Sequence, residues 1–167
     1  IGKKDNKDNF VPNTSFKISY NADMSNPIGT YTTGSNGKVL IEKLRPGIIY
    51  VQETNVPKHL ILDTNIKSAT INTARTTYFE ATNQWKQGRI QVVKKDAETN
   101  KVVKKAGTVF DIYNSNNKKV MSITTNKDGI ATSSLLDYGT YFVKESKAPN
   151  KYTIKVEVSE NIGVVED

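Results

Sequence analysis

The chain has 167 residues, with 24 Lys and Arg against 17 Asp and Glu, a formal charge of +7. Hydrophobic residues make up 36 % of it, enough for one large core or two thin ones. Cysteine is absent and His59 is the single histidine, which excludes disulfides, thiolate metal sites and cysteine nucleophiles and argues against a Ser-His-Asp triad.

No apolar run approaches the roughly 18 residues of a membrane span. The opening Ile1-Gly2-Lys3-Lys4 reads as strand rather than leader, so the chain is expected to be an excerpt of a longer protein. Ser15 to Asn21 is a second apolar strand, and Gly34-Ser35-Asn36-Gly37 is a turn. Ile49, Val51 and Glu53 alternate along a third strand, and Phe79, Ala81 and Asn83 share one face of another. Gln84-Trp85-Lys86-Gln87-Gly88 reads as a short linker, with Trp85, the only tryptophan, expected to pack at the junction. Alternation resumes at Arg89 to Lys95, where Ile90, Val92 and Lys94 share a face, and again at Tyr141, Val143 and Glu145. Asn114 to Asn117 and Asn126 to Gly129 are turns. Thr and Asn are abundant and no helical period runs beyond about two turns, so the class is all-β. Short strands between such turns indicate a sandwich.

The chain also matches itself at a spacing of roughly 91–92 residues. Lys3-Lys4-Asp5 corresponds to Lys94-Lys95-Asp96, and the strand around Phe16 to that around Phe110. Gly47-Ile48-Ile49-Tyr50-Val51-Gln52-Glu53 corresponds to Gly139-Thr140-Tyr141-Phe142-Val143-Lys144-Glu145, each Glu followed four residues later by proline, Pro57 and Pro149. Two domains of similar fold follow, residues 1–87 and 88–167.

In each copy a lysine and a glutamate fall on otherwise apolar faces. Buried charge is costly unless paired or neutralised. In the first domain Lys3, Glu53 and Asn83 are all predicted to point into one core. Burial disfavours the charged form of both ionisable groups. A neutral lysine amine is a nucleophile, and a protonated carboxyl can polarise the Asn carbonyl and carry protons to departing ammonia. The product is a Lys–Asn isopeptide bond. From spacing alone the plainer arrangement is favoured, a buried Lys–Glu pair with Asn83 as a hydrogen-bonding neighbour.

Each half resembles the B-type repeat of the collagen-adhesin (Cna) family of Gram-positive surface proteins and pilins. The resemblance rests on the Lys-x-Asp opening of each half, the strands around Phe16 and Phe110, and Leu44-Arg45-Pro46-Gly47 leading to Glu53 and Pro57. It rests also on the step Asn83-Gln84-Trp85-Lys86-Gln87-Gly88-Arg89-Ile90. It implies two tandem B-type (immunoglobulin-like/prealbumin-like) β-sandwich domains. It also implies an autocatalytic bond between Lys3 and Asn83 assisted by Glu53, and the corresponding roles for Lys94 and Glu145. In the second half the counterpart of Asn83 would fall about three residues beyond Asp167. The last strand is therefore expected to be truncated, the alternatives being that Asp167 substitutes or that no bond forms. Asp137-Tyr138-Gly139 also replaces the Pro-Gly before the glutamate.

The function implied is a structural stalk module of a wall-attached, extracellular adhesin or pilin, anchored through other parts of its parent and flanked by neighbouring repeats. The second reading is an adhesive module for host matrix such as collagen, which would call for an exposed aromatic or apolar patch. A single-turnover intramolecular reaction does not make an enzyme, and no cofactor is expected. The +7 charge is spread, with Lys101, Lys104 and Lys105 reading as a solvated turn, so neither nucleic acid nor membrane insertion is expected. Asp5 to Asn9 lacks the Gly and terminal Glu of a calcium loop and reads as a surface turn. Val56-Pro57-Lys58 matches the proline-lysine motif of sortase-linked pilins but sits in the loop after Glu53, and His59 reads as a loop residue.

Overall fold

The computed structural model describes residues 1–146, 153–158 and 163–166. The described residues contain strands and no helix, and the chain divides into two compact units, Ile1–Trp85 and Lys86–Asp167.

In the first unit β1 (Gly2–Asp5) lies parallel to β6 (Glu80–Asn83). β2 (Ser15–Ser19), β3 (Gly29–Thr32), β4 (Gly47–Asn55) and β5 (Lys67–Ile71) form an antiparallel sheet of order β3-β2-β4-β5. Period-2 alternation determines what enters the core, because alternate side chains leave opposite faces of a strand. Phe16 and Ile18 of β2, Ile49 and Val51 of β4, and Ala81 of β6 are buried together, which packs the two sheets as a sandwich. Fully burying one such side chain contributes roughly 1.5–3 kcal/mol. The register of the short pair runs Lys3 opposite Ala81 and Asp5 opposite Asn83.

The second unit repeats this plan. β8 (Ile90–Val93) lies parallel to β15 (Gly163–Glu166) and antiparallel to β11 (Ile130–Thr132). β9 (Val109–Asn114), β10 (Lys119–Thr124), β13 (Gly139–Glu145) and β14 (Thr153–Val158) form the second sheet, of order β10-β9-β13-β14. Its core gathers Ile90, Val92, Phe110, Ile112, Tyr141 and Val143. β7 (Gln87–Gly88) pairs with β12 (Leu136–Asp137), so residues 86–87, read from sequence as linker, pack with the second unit.

The matched turns are built alike. The Gly34 N–H donates to the Lys38 carbonyl at 3.0 Å and the Asn126 N–H to the Ile130 carbonyl at 2.8 Å, while the Gly37 N–H donates to the Gly34 carbonyl at 2.9 Å and the Gly129 N–H to the Asn126 carbonyl at 3.0 Å. Gly37 and Gly129 take positive φ, 71° and 76°. A Cβ on Gly37 would stand 2.7 Å from Phe10 Cβ and from Val11 N, and one on Gly129 would strike the Val103 carbonyl oxygen. Glycine is therefore required for both conformation and space.

Candidate functional site

The first unit brings three polar side chains into its core at one end of the parallel strand pair. Lys3 enters from β1, Asn83 from the last position of β6, and Glu53 from β4 on the facing sheet. Lys3 is fully buried, and Glu53 and Asn83 are 5 % and 4 % exposed. Because Lys3 is registered with Ala81, its long side chain extends forward along the strand to Asn83. There Lys3 Nζ donates to Asn83 Oδ1, and it lies 3.3 Å from Glu53 Oε1. Glu53 Oε2 accepts the Asn83 Nδ2–H at 2.5 Å.

A loop that the sequence did not single out holds this triangle. The carbonyl of Ile61 accepts the other Nδ2 hydrogen bond of Asn83 at 2.6 Å, and the Asp63 N–H donates to Glu53 Oε2 at 2.9 Å. Asp63 is in turn paired with Lys67 Nζ at 2.9 Å. The loop's contacts with Asn83 and Glu53 are made by its backbone atoms, and backbone carries no residue signature, so no pattern in the sequence could have revealed them.

Burial pushes the Lys3 amine below its ordinary range, and attraction to Glu53 offsets this only in part. The site thus favours the neutral, nucleophilic form of lysine more than water does. A small cavity of about 10 Å³ adjoins Glu53 and Asn83, bordered also by Phe16, Ala81, Asp63 and Lys67. That is about the space of one water-sized molecule.

The arrangement refines the role expected of the carboxyl group. Of the two roles expected of Glu53, polarising the Asn carbonyl and carrying protons to the departing ammonia, the contacts bear on the second, since Glu53 contacts the amide nitrogen and Lys3 the carbonyl oxygen. Glu53 therefore touches both nitrogen atoms of a prospective exchange, the amine that would enter and the amide nitrogen that would leave.

The second unit brings Lys94 and Glu145 together, with Nζ to Oε2 at 2.9 Å. Their side chains are 23 % and 12 % exposed, so this pair sits at the edge of the core rather than within it. Asn83 stands two positions past the residue opposite Lys3 on β6. The same offset from Lys94 would fall beyond Asp167, and Asp167 itself lies outside the described residues.

Trp85 and His59 also have specific positions. Trp85 belongs to the first unit, where its ring lies 4.3 Å, centre to centre, from that of His59. Its indole N–H donates to Asp5 Oδ2 at 2.9 Å.

The model of the SpaA prealbumin-like fold domain matches the chain twice, over residues 1–85 and 88–166. The chain belongs to the SpaA prealbumin-like fold domain family. Its two SpaA-type domains superpose on the structure of the Bacillus anthracis TIE protein with a TM-score of 0.82 and 27 % identity, over 99 % of this chain and 32 % of that one. A C-terminal fragment of the pilus adhesin SpaC from Lactobacillus rhamnosus GG, 17 % identical with a TM-score of 0.50 over 95 % of this chain and 79 % of that one, shares the fold. Over 54 residues, 32 % of the chain, the SpaA-type sequence is 41 % identical to the trypsin-resistant surface T6 protein of Streptococcus pyogenes serotype M6. That stretch is 10 % of the streptococcal protein, so this chain corresponds to a minor part of such relatives. The resemblance to B-type repeats accords with this membership. Of these relatives, the streptococcal one is described as a surface protein.

Proposed function

We propose that the chain is a structural stalk segment of a wall-attached adhesin or pilin, whose first domain closes itself with an intramolecular Lys3–Asn83 isopeptide bond. One observation carries this reading. An amine, a carboxylate and a carboxamide are buried in mutual contact, and the amine and amide lie on strands near opposite ends of the same domain.

The chemistry follows from those contacts. Glu53 Oε1 takes a proton from the Lys3 ammonium, leaving both groups neutral. Lys3 Nζ attacks Asn83 Cγ, and the carbonyl electron pair moves onto Oδ1. Glu53 relays a second Nζ proton to Nδ2, the Cγ–Nδ2 bond breaks, and ammonia leaves. The product retains one N–H on the new amide. Fixed proximity supplies most of the acceleration, because reacting atoms held in place behave as if at very high concentration. Desolvation supplies the neutral amine. The reaction occurs once per molecule and acts on no outside substrate.

A covalent tie between β1 and β6 carries load from one end of the domain to the other without relying on hydrogen bonds. It also suits a relative described as trypsin-resistant. Partners on this reading are neighbouring domains of the parent protein, and wall attachment is through those other parts.

The test is intact mass under denaturing conditions. The unaltered chain is expected to be lighter than its sequence by one ammonia, with peptide mapping joining Lys3 to Asn83. Lys3→Ala, Asn83→Ala and Glu53→Ala are each expected to restore the full mass. An unaltered chain at full mass, or a Glu53→Ala chain that still loses ammonia, refutes the bond or the role of Glu53 respectively.

A further inference from the structure

Asp5 is buried, yet neither half of the ligation uses it. One of its carboxylate oxygens, Oδ1, accepts the backbone N–H groups of Lys7 and Asn9, both at 2.9 Å, and so folds the turn that follows β1. The other, Oδ2, accepts the Trp85 indole N–H at 2.9 Å and the Asn9 side-chain amide at 3.2 Å. The Trp85 backbone N–H donates to Asn6 Oδ1 at 3.0 Å, and Lys7 Nζ lies 3.9 Å from the indole centre. The two chain segments that leave the β1–β6 pair are thus fastened to each other just beyond its last register step.

The position of this fastening matters. Asp5 is registered with Asn83, Lys3 precedes Asp5 by two residues, and Trp85 follows Asn83 by two. Asn83 is the terminal residue of a four-residue strand in a two-stranded sheet, a place where fraying is ordinary. On one side it is held by the Lys3–Ala81 register and on the other by the Asp5–Trp85 contact. The second unit supplies an internal comparison. Asp96, the counterpart of Asp5, likewise anchors a turn, accepting the N–H groups of Glu98 and Thr99 at 3.0 and 2.8 Å. An aspartate-anchored turn after the first strand is common to both repeats.

We propose that Asp5 and Trp85 are positioning residues for the Lys3–Asn83 ligation, clasping the ends of β1 and β6 so that the Asn83 carboxamide stays within reach of Lys3 Nζ. This rests on the ligation reading. Near-attack geometry tolerates little displacement, and about 1 Å of misplacement can cost on the order of a hundredfold in rate. The separate bond from Ile61 N–H to the Gln84 carbonyl, 2.9 Å, also restrains this strand end, so loss of the clasp slows the reaction without abolishing it.

The experiment follows ammonia loss in time after cell-free synthesis of the full chain, with samples quenched in denaturant and weighed intact. Trp85→Phe keeps a ring and removes the donor. Asp5→Asn keeps one oxygen for the turn and cannot also accept the indole. Each is expected to slow ligation by roughly tenfold or more at a temperature where the chain is fully folded. The double variant is expected to be no slower than either single one, because both break the same contact. Ile18→Ala, a core change away from the clasp, serves as the stability control and is expected to ligate at the original rate. Unchanged rates in Trp85→Phe and Asp5→Asn overturn the positioning role alone. Equal slowing in Ile18→Ala, once folded, overturns it in favour of general stability. An unaltered chain that never loses ammonia overturns the ligation itself, and the role with it.

Discussion

Lys3 is a fully buried amine, and burial disfavours its charged form. A well-packed apolar residue of similar volume would generally be at least as stabilising as a buried ion pair. Its cost is understandable if the charge is transient and the side chain ends as a neutral amide. Asp5 presents the opposite case, a carboxylate that remains charged. Burial alone would raise its pKa, but hydrogen bonds from Asn9, Trp85 and Lys7 outweigh that and bring it from 3.8 to about 2. A carboxyl whose folded pKa is depressed contributes stability above its unfolded pKa and loses it as pH falls through the folded value. The window here runs from about 3.8 down to about 2. Urea unfolding at pH 5 and pH 2.5 is therefore expected to show a larger loss of stability in the original chain than in Asp5→Asn. An identical loss in the two would mean that these hydrogen bonds do not favour the charged form.

At the scale of elements, the two repeats show which features the fold demands. The turn glycines are demanded by both. Gly37→Ala must place a Cβ against Phe10 and Val11 while holding a φ of 71°. It is expected to destabilise the first unit by more than about 1 kcal/mol, the scale for alanine at positive φ. Chemical denaturation checks this, and a change within a few tenths of a kcal/mol would show that the turn relaxes freely. Much of this level was legible in the sequence, because alternation, turn residues and the repeat are local patterns. Ile49, Val51 and Glu53 do share a buried face, and Lys3, Glu53 and Asn83 do meet. The positions of Trp85 and of the Ile61–Asp63 loop were not legible. The sequence places Trp85 in a linker and so at a junction, and only the folded chain shows its N–H donating to Asp5.

At the scale of the molecule, the consequence of the proposed bond is resistance to unfolding and cleavage. The bond would join residues 80 apart in sequence, and so restrict the unfolded chain far more than the folded one. By analogy with a disulfide closing a loop of that size, the entropic contribution is about 4–5 kcal/mol. Trypsin acts at Lys and Arg, of which the chain has 24, and cuts mainly when a segment opens. Where cleavage follows the open population, each 1.4 kcal/mol of added stability slows it about tenfold. The comparison needs a variant that lacks the bond without leaving a hole or a lone charge. Lys3→Met combined with Glu53→Gln keeps both side-chain volumes and removes both charges. Under limited trypsin the first unit of this variant is expected to disappear at least roughly tenfold faster than in the original chain. The comparison is read on fragments from residues 1–85, so that cuts elsewhere do not enter. Equal lifetimes in a chain shown by mass to be crosslinked would mean that trypsin enters through loops the bond does not restrain. Protection would then have to come from local loop structure, and the tie between β1 and β6 would serve tension along the chain rather than defence against proteases.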